Sequence, residues 1–277
     1  MAKSMLTLRE KQFEGLRALR MFDDLCKEHG LRYSLDYGTI IGAVRHKGFI
    51  PWDDDVDVCM PRPDFEKMLS MSDTFKKEDT ELQGYFGLPL EVSSHVRFVT
   101  LRAEINHTTM NLPGRNYIWV DIFPIDGNPD DLQDGLALCQ EAWFPKQMLT
   151  AGLWRWKAIP NRAVATACLV TRPILRSYPF RMYWTKRLKS VQLSVPYGST
   201  GTVGSLASLS HGEDRMPIEQ FEKTVMMEFE GYEFPVMSCW EQRLHNWYGD
   251  YMQLPPEDQR INHQLDAWWT NGFGPEQ

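Results

Sequence analysis

Four aspartates fall within five positions, at Asp53, Asp54, Asp55 and Asp57, while Val56, Val58 and Met60 occupy the alternate places and carry the run onward. Carboxylates this close repel one another. They destabilise any fold that does not set a cation or strong hydrogen-bond donors against them. In an extended segment side chains alternate, so Asp53, Asp55 and Asp57 share one face and the apolar residues take the other. Neighbours on such a face lie about 6–7 Å apart, a gap that two carboxylates can close onto one hard cation. Oxygen ligands alone favour Mg2+ or Mn2+ over zinc. The competing reading is a solvated acidic loop leading into an edge strand.

Upstream, Gly38-Thr39 ends an apolar run and Gly42 follows. Glycine there lets the backbone approach a ligand closely, and a helix start frees N–H groups for phosphate. Arg45, His46 and Lys47 then place cations between this turn and the aspartates. An anion-binding turn, then cations, then metal carboxylates suits phosphoryl or nucleotidyl transfer. No Gly-Lys-Ser/Thr follows the turn, so it is not a Walker A loop.

The stretch YSLDYGTIIGAVRHKGFIPWDDDVDVCMPRPDFEKML, residues 33–69, closely resembles the core of the LicD family. That family includes bacterial phosphocholine transferases and is related to fukutin-related sugar-phosphate transferases. WVDIFPIDG at 119–127 and FEGYEFPV…WYGDYMQLPPEDQR at 229–260 extend the resemblance over most of the chain. It implies a nucleotidyltransferase-like α/β (α+β) fold with a mixed sheet flanked by helices. Its signature is Gly-Ser/Thr, then Asp-x-Asp, then a third acid on a later strand. Gly38-Thr39, Asp55-Val56-Asp57 and Asp121 match these parts one by one. Tyr248, Asp250, Arg260 and His263 match or lie near the terminal motif, whose role the residues themselves do not reveal.

Three parts are expected: a catalytic core over 1–141, a basic, aromatic-rich and mostly helical insert over 142–212, and a C-terminal part over 213–277 that packs back on the core. From Ala142 to Gly212 there is no Asp or Glu but ten Lys and Arg, against a net charge of −7 for the whole chain. Trp154, Trp156, Tyr178, Phe180, Tyr183 and Trp184 interleave with these cations. The pattern suits an anionic or lipid-linked glycan acceptor, or the inner membrane surface; a merely solvated basic face is the alternative. The acidic remainder argues against nucleic acid. Five widely spaced cysteines without a CxxC pair, and an N-terminus lacking a signal-type apolar run, point to a reduced, cytoplasmic protein.

Local signals predict a capped helix over 7–29 with Phe13, Leu16, Leu19, Phe22 and Leu25 inward, and a strand over 31–37. A short helix from Thr39 to His46, a strand over 55–60 and a helix opening at Pro61 or Pro63 follow. Residues 82–123 read as strand-rich, with Arg97 on the acid face or on the surface. Asp121 lies inside a hydrophobic strand, where a lone acid is costly unless it serves a site or an ion pair. Asp126-Gly127 reads as a turn, 130–153 as a helix, 197–206 as a loop, 217–227 as a helix, 229–234 as a hairpin and 238–248 as a helix.

With the resemblance, the expected reaction is attack by a glycan hydroxyl on a CDP-activated alcohol, most simply CDP-choline, with CMP released. Asp55 and Asp57 hold Mg2+. Asp121 completes the site or takes the hydroxyl proton, and Asp53 is a further ligand. Gly38, Thr39, Arg45, Lys47 and Arg97 face phosphate or developing charge. Trp52 is a candidate wall for the choline cation or a core residue. An Asp-x-Asp glycosyltransferase and a non-catalytic nucleotide-binding protein remain the rivals.

Overall fold

The computed structural model describes residues 5–84, 94–112, 114–207, 212–260, 262, 265–270 and 272–274. Helix α1 (Leu8–His29) begins with a capping box in which Thr7 and Glu10 satisfy each other's backbone N–H, and ends at Gly30 in the left-handed region. It buries Leu16, Leu19, Phe22 and Leu25 against the sheet. Complete burial of a side chain such as Phe22 contributes about 2 kcal/mol. Phe13, expected on that face, is instead half exposed beneath the Arg9 guanidinium.

The sheet is built from β1 (Ser34–Leu35), β2 (Asp57–Pro61), β3 (Thr80–Gln83), β4 (Val96–His107) and β5 (Asn116–Asn128). β6 (Thr202–Gly204), β7 (Met216–Pro217) and β10 (Leu265–Trp269) complete it. Its main path runs β1-β2-β5-β4-β10. Among the described strands of this sheet, only β2 and β5 pair in parallel, with Asp57 opposite Asp121; the other pairings are antiparallel. The architecture is therefore mixed α+β. β2 is buried on both faces, as a central strand must be, and Val58, Cys59 and Met60 are fully enclosed.

Helix α2 (Tyr37–His46) crosses from β1 towards β2, and α3 (Arg62–Ser70) opens with Pro63 in its first turn. The expected strand over 31–37 shrinks to two residues because Asp36 already caps α2. Asp126 lies inside β5, not in a turn; it is fully buried and paired with Arg62 at 2.6 Å. Three helices, α4 (Leu132–Ala151), α5 (Arg162–Leu175) and α6 (Tyr178–Gln192), form the helical region. α4 starts upstream of residue 142, so that boundary falls within a helix.

The expected helix over 217–227 is only a single turn, α7 (Ile218–Glu222); the chain then becomes the hairpin β8 (Thr224–Phe229) and β9 (Tyr232–Met237). Thr224, Val225 and the methionines that follow favour a pleated surface. Glu230 and Gly231 both take positive φ at the turn, as a tight two-residue hairpin requires. Helix α8 (Trp240–Tyr248) follows and stops at Gly249. β10 pairs antiparallel with β4 at the edge of the sheet. No described helix is long and apolar enough to cross a membrane.

Candidate active site

The acidic run divides according to which neighbour each carboxylate meets. Asp54 turns inward and pairs with Lys11 of α1 at 3.0 Å, both side chains buried. Asp55 and Asp57 turn the other way. One oxygen from each, and one from Asp121, lie within 4.8 Å of one another. β-strand pairing sets this: Asp57 and Asp121 are register partners on β2 and β5, and the Asp121 N–H donates to the Val56 carbonyl at 2.8 Å. Asp53 stands beside them at the start of α2. A Cβ on Gly38 would lie 3.0 Å from its carboxylate, so a larger residue there would make the Asp53 side chain shift.

Asp57 and Asp121 are pushed in opposite directions. Burial pushes the Asp57 carboxyl well above its ordinary range, and Asp55, Asp121 and Asp53 push in the same direction. Burial also acts on Asp121, but Arg97 and His95 outweigh it and hold this carboxyl well below the usual range. Arg97 Nε and His95 Nε2 each lie 3.0 Å from Asp121 Oδ1. Arg97 thus sits on the acid face, opposite Asp121 in the β4–β5 register, with its guanidinium 4.3 Å from the Trp119 ring centre. Three convergent carboxylate oxygens of this kind fit a hard divalent cation such as Mg2+ or Mn2+.

These acids line one wall of a cleft of about 600 Å3. Gly38, Trp52 and Arg97 line it too. Thr39 is buried and its Oγ1 accepts from the Asp57 N–H at 2.9 Å, so its structural partner is β2. Arg45 and Lys47 are not brought to the acids. They lie at the C-terminal end of α2, about 10–13 Å along the helix from Gly38. Arg45 donates to the Tyr251 carbonyl, and Lys47 is the left-handed cap of the helix. Trp52 carries the Arg260 guanidinium 5.3 Å from its ring centre. His263 lies outside the described residues.

The buried network that holds Tyr37 and Trp247, two lining residues of the cleft, was not legible in the sequence. Arg243 on α8 forms a two-pronged pair with Asp36, at 2.5 and 2.6 Å, and reaches Asp214 at 2.8 Å. Asp36 caps α2, so this buried network pins α8 to the start of the helix that carries Gly38. Asp214 also accepts from Trp247 Nε1 at 2.9 Å and from the Tyr37 hydroxyl at 3.3 Å. It thereby fixes two rings of the cleft. Tyr37 stands nearly perpendicular to both Phe123 (5.1 Å, 73°) and Trp247 (5.3 Å, 88°). Phe123 follows Asp121 by two residues and so shares its face of β5. Lys146 of α4 lies buried in the same cleft, and burial pushes its ammonium down to about 8. His95 had a signal in its spacing, two residues before Arg97 on an alternating strand. Asp36 had one as a cap residue before a helix. Arg243 and Asp214 had none.

The sequence model for the LicD/FKTN/FKRP nucleotidyltransferase domain matches residues 30–152, which include all three converging acids. The chain is 32% identical over 268 residues to the lipopolysaccharide cholinephosphotransferase LicD of Haemophilus influenzae, covering 95% of this chain and 98% of that protein. Shorter matches reach an uncharacterized protein of Rickettsia prowazekii, 33% identical over 57 residues (18% of this chain, 21% of that protein). Another in Rickettsia typhi is 42% identical over 49 residues (17% and 16%).

Proposed function

The chain belongs to the LicD family, and on that premise we propose that it transfers phosphocholine from CDP-choline to a hydroxyl of a cell-surface glycan such as lipopolysaccharide or its lipid-linked precursor. The acceptor oxygen forms a bond to the phosphorus that carries choline. The bond from that phosphorus to the bridging oxygen breaks, and CMP leaves. The acceptor proton passes to a base in the cleft, for which His95, beside Asp121, is the candidate.

The observation that carries this reading is the convergence of Asp55, Asp57 and Asp121 in one cleft. These three would hold Mg2+ or Mn2+, with Asp53 as a further ligand. The cation would spread the negative charge of the pyrophosphate and of the leaving CMP. Of the two roles open to Asp121, cation ligand is the better supported, because a carboxyl held so low is a weak proton acceptor. Gly38, in the first turn of α2, brings backbone close to a phosphate beside the acids, and Lys146 adds a cation to the cleft lining. The perpendicular rings of Tyr37, Phe123 and Trp247 suit a quaternary ammonium, which makes no hydrogen bonds and is attracted by aromatic faces. Trp52 and Tyr37 each already carry a guanidinium, from Arg260 at 5.3 Å and from Arg243 at 4.9 Å, which leaves Phe123 and Trp247 as the rings to test first.

The test is CMP release from CDP-choline, CDP-ethanolamine, CDP-ribitol and CDP-glycerol, with a lipooligosaccharide acceptor, in Mg2+ and in EDTA. Turnover with CDP-choline in Mg2+ alone is expected. Release of a nucleoside diphosphate from a nucleotide sugar would favour the glycosyltransferase instead. Failure to bind any cytidine nucleotide would favour a non-catalytic protein.

A further inference from the structure

Helix α5 wears its apolar stripe on the outside. Ala163, Ala167, Val170 and Ile174 recur at spacings of four, three and four, which puts them on one helical face. All four are exposed, Val170 at 74% and Ile174 at 62%. Val164 and Leu169 flank them and are half exposed. The inward side is mixed: Ala165 is buried, Cys168 and Leu175 are half-buried, and Arg172 donates to the Trp154 carbonyl at 2.8 Å. A helix on a water-soluble surface normally turns its apolar stripe inward instead.

The surrounding charge says what covers this face. There is no acid between Ala142 and Gly212. Arg172 and Arg176 donate to the carbonyls of Trp154 and Gly152, which are neutral and bring no negative charge to this face. Lys157, Arg162 and Lys186 are exposed nearby, and the exposed Tyr178 and Tyr183 add rings with polar tips. Apolar stripe, cationic surround and tyrosines together match a helix lying in the headgroup layer of an anionic bilayer.

We propose that α5 docks this protein on an anionic phospholipid surface, its Val170–Ile174 stripe at the acyl boundary and the neighbouring cations on lipid phosphates. The placement has a use. Arg176 and Arg172 hold the backbone on either side of Leu153, and Leu153 lines the cleft. A docked α5 therefore presents the cleft to an acceptor carried by lipid. The docking surface itself is argued from exposure and charge, independently of the chemistry assigned to the cleft.

The experiment is co-sedimentation of the full chain with vesicles of phosphatidylcholine alone, and of phosphatidylcholine with phosphatidylglycerol. Binding to the anionic vesicles and its release by high salt are expected. Val170→Asp with Ile174→Asp should weaken that binding at least about tenfold, since two exposed aliphatic side chains lose their acyl contact. The melting temperature should not move, because neither residue is packed. Lys157→Glu with Arg162→Glu should cost roughly fivefold per reversed charge and flatten the salt dependence. Equal sedimentation of wild type and Val170→Asp/Ile174→Asp, or no preference for anionic lipid, would overturn the proposal. So would a dimer in sedimentation equilibrium that the aspartate pair dissolves, since a second copy would then own the stripe.

Discussion

Two groups of carboxylates stand a short distance apart in this protein and are treated in opposite ways. Asp36 and Asp214 share a buried guanidinium, Arg243, and so arrive with their countercharge built in. Asp57 is pressed by Asp55, Asp121, Asp53 and Asp36, all of one sign. The first group is architecture, closed and satisfied within the chain. The second has Arg97 and His95 only at Asp121, and Asp57 remains among like charges, which suits the cation proposed for it. An acid's neighbours, rather than its burial, separate the two kinds.

The comparison breaks most visibly at Arg243. Arg243→Met should cost about 3–5 kcal/mol of stability by leaving two buried carboxylates against each other, read as a lowered urea midpoint with unchanged slope. Asp57→Asn should do the converse. Turnover should fall on the order of a thousandfold, while the melting temperature of the metal-free protein holds or rises because a repelling charge is gone. A variant that keeps near-normal turnover would remove the acids from the chemistry.

Lys146 is an intermediate case, a buried ammonium whose neighbours do not offset its burial. The unfolded chain keeps this proton up to about 10.5 and the folded chain sheds it near 8. Unfolding therefore takes up a proton in that window, and native stability rises with pH across it. Lys146→Met should stabilise by about 3 kcal/mol below pH 8, and the gain should fade by pH 10.5. Urea melts at pH 7 and pH 10 would show it. Smallest is the response to Mg2+. At about a hundred times its Kd the ion should add roughly 2.7 kcal/mol to the wild type. Asp57→Asn should lose that increment, and Lys11→Met, on the other side of the acidic run, should keep it.

What the sequence disclosed was whatever is local or carried by a short motif. Thr7, Glu10 and Gly30 bound α1 because caps act within a few residues. Asp55 and Asp57 announced themselves by crowding, and Asp121 by sitting inside an apolar strand. What stayed hidden depends on distant partners. Asp36 and Arg243 are 207 residues apart, and neither residue type signals such a pairing. Asp126 looked like a turn residue because Asp-Gly favours turns, but burial with Arg62 overrides that preference. Arg45 and Lys47 looked close to the acids because they are close in sequence. The helix between them and Gly38 carries them away at about 1.5 Å per residue.

One consequence lies in the pairing of β2 with β5. Asp57 and Asp121 hang from opposing rungs of a single ladder, so the jaw between them is gauged by the backbone spacing of adjacent strands, about 4.8 Å, and not by the pose of a loop. Such a calliper does not open to order. The carboxylate oxygens hung from it come within 4.8 Å of a third, from Asp55, and that closeness is set by strand pairing before any ligand arrives.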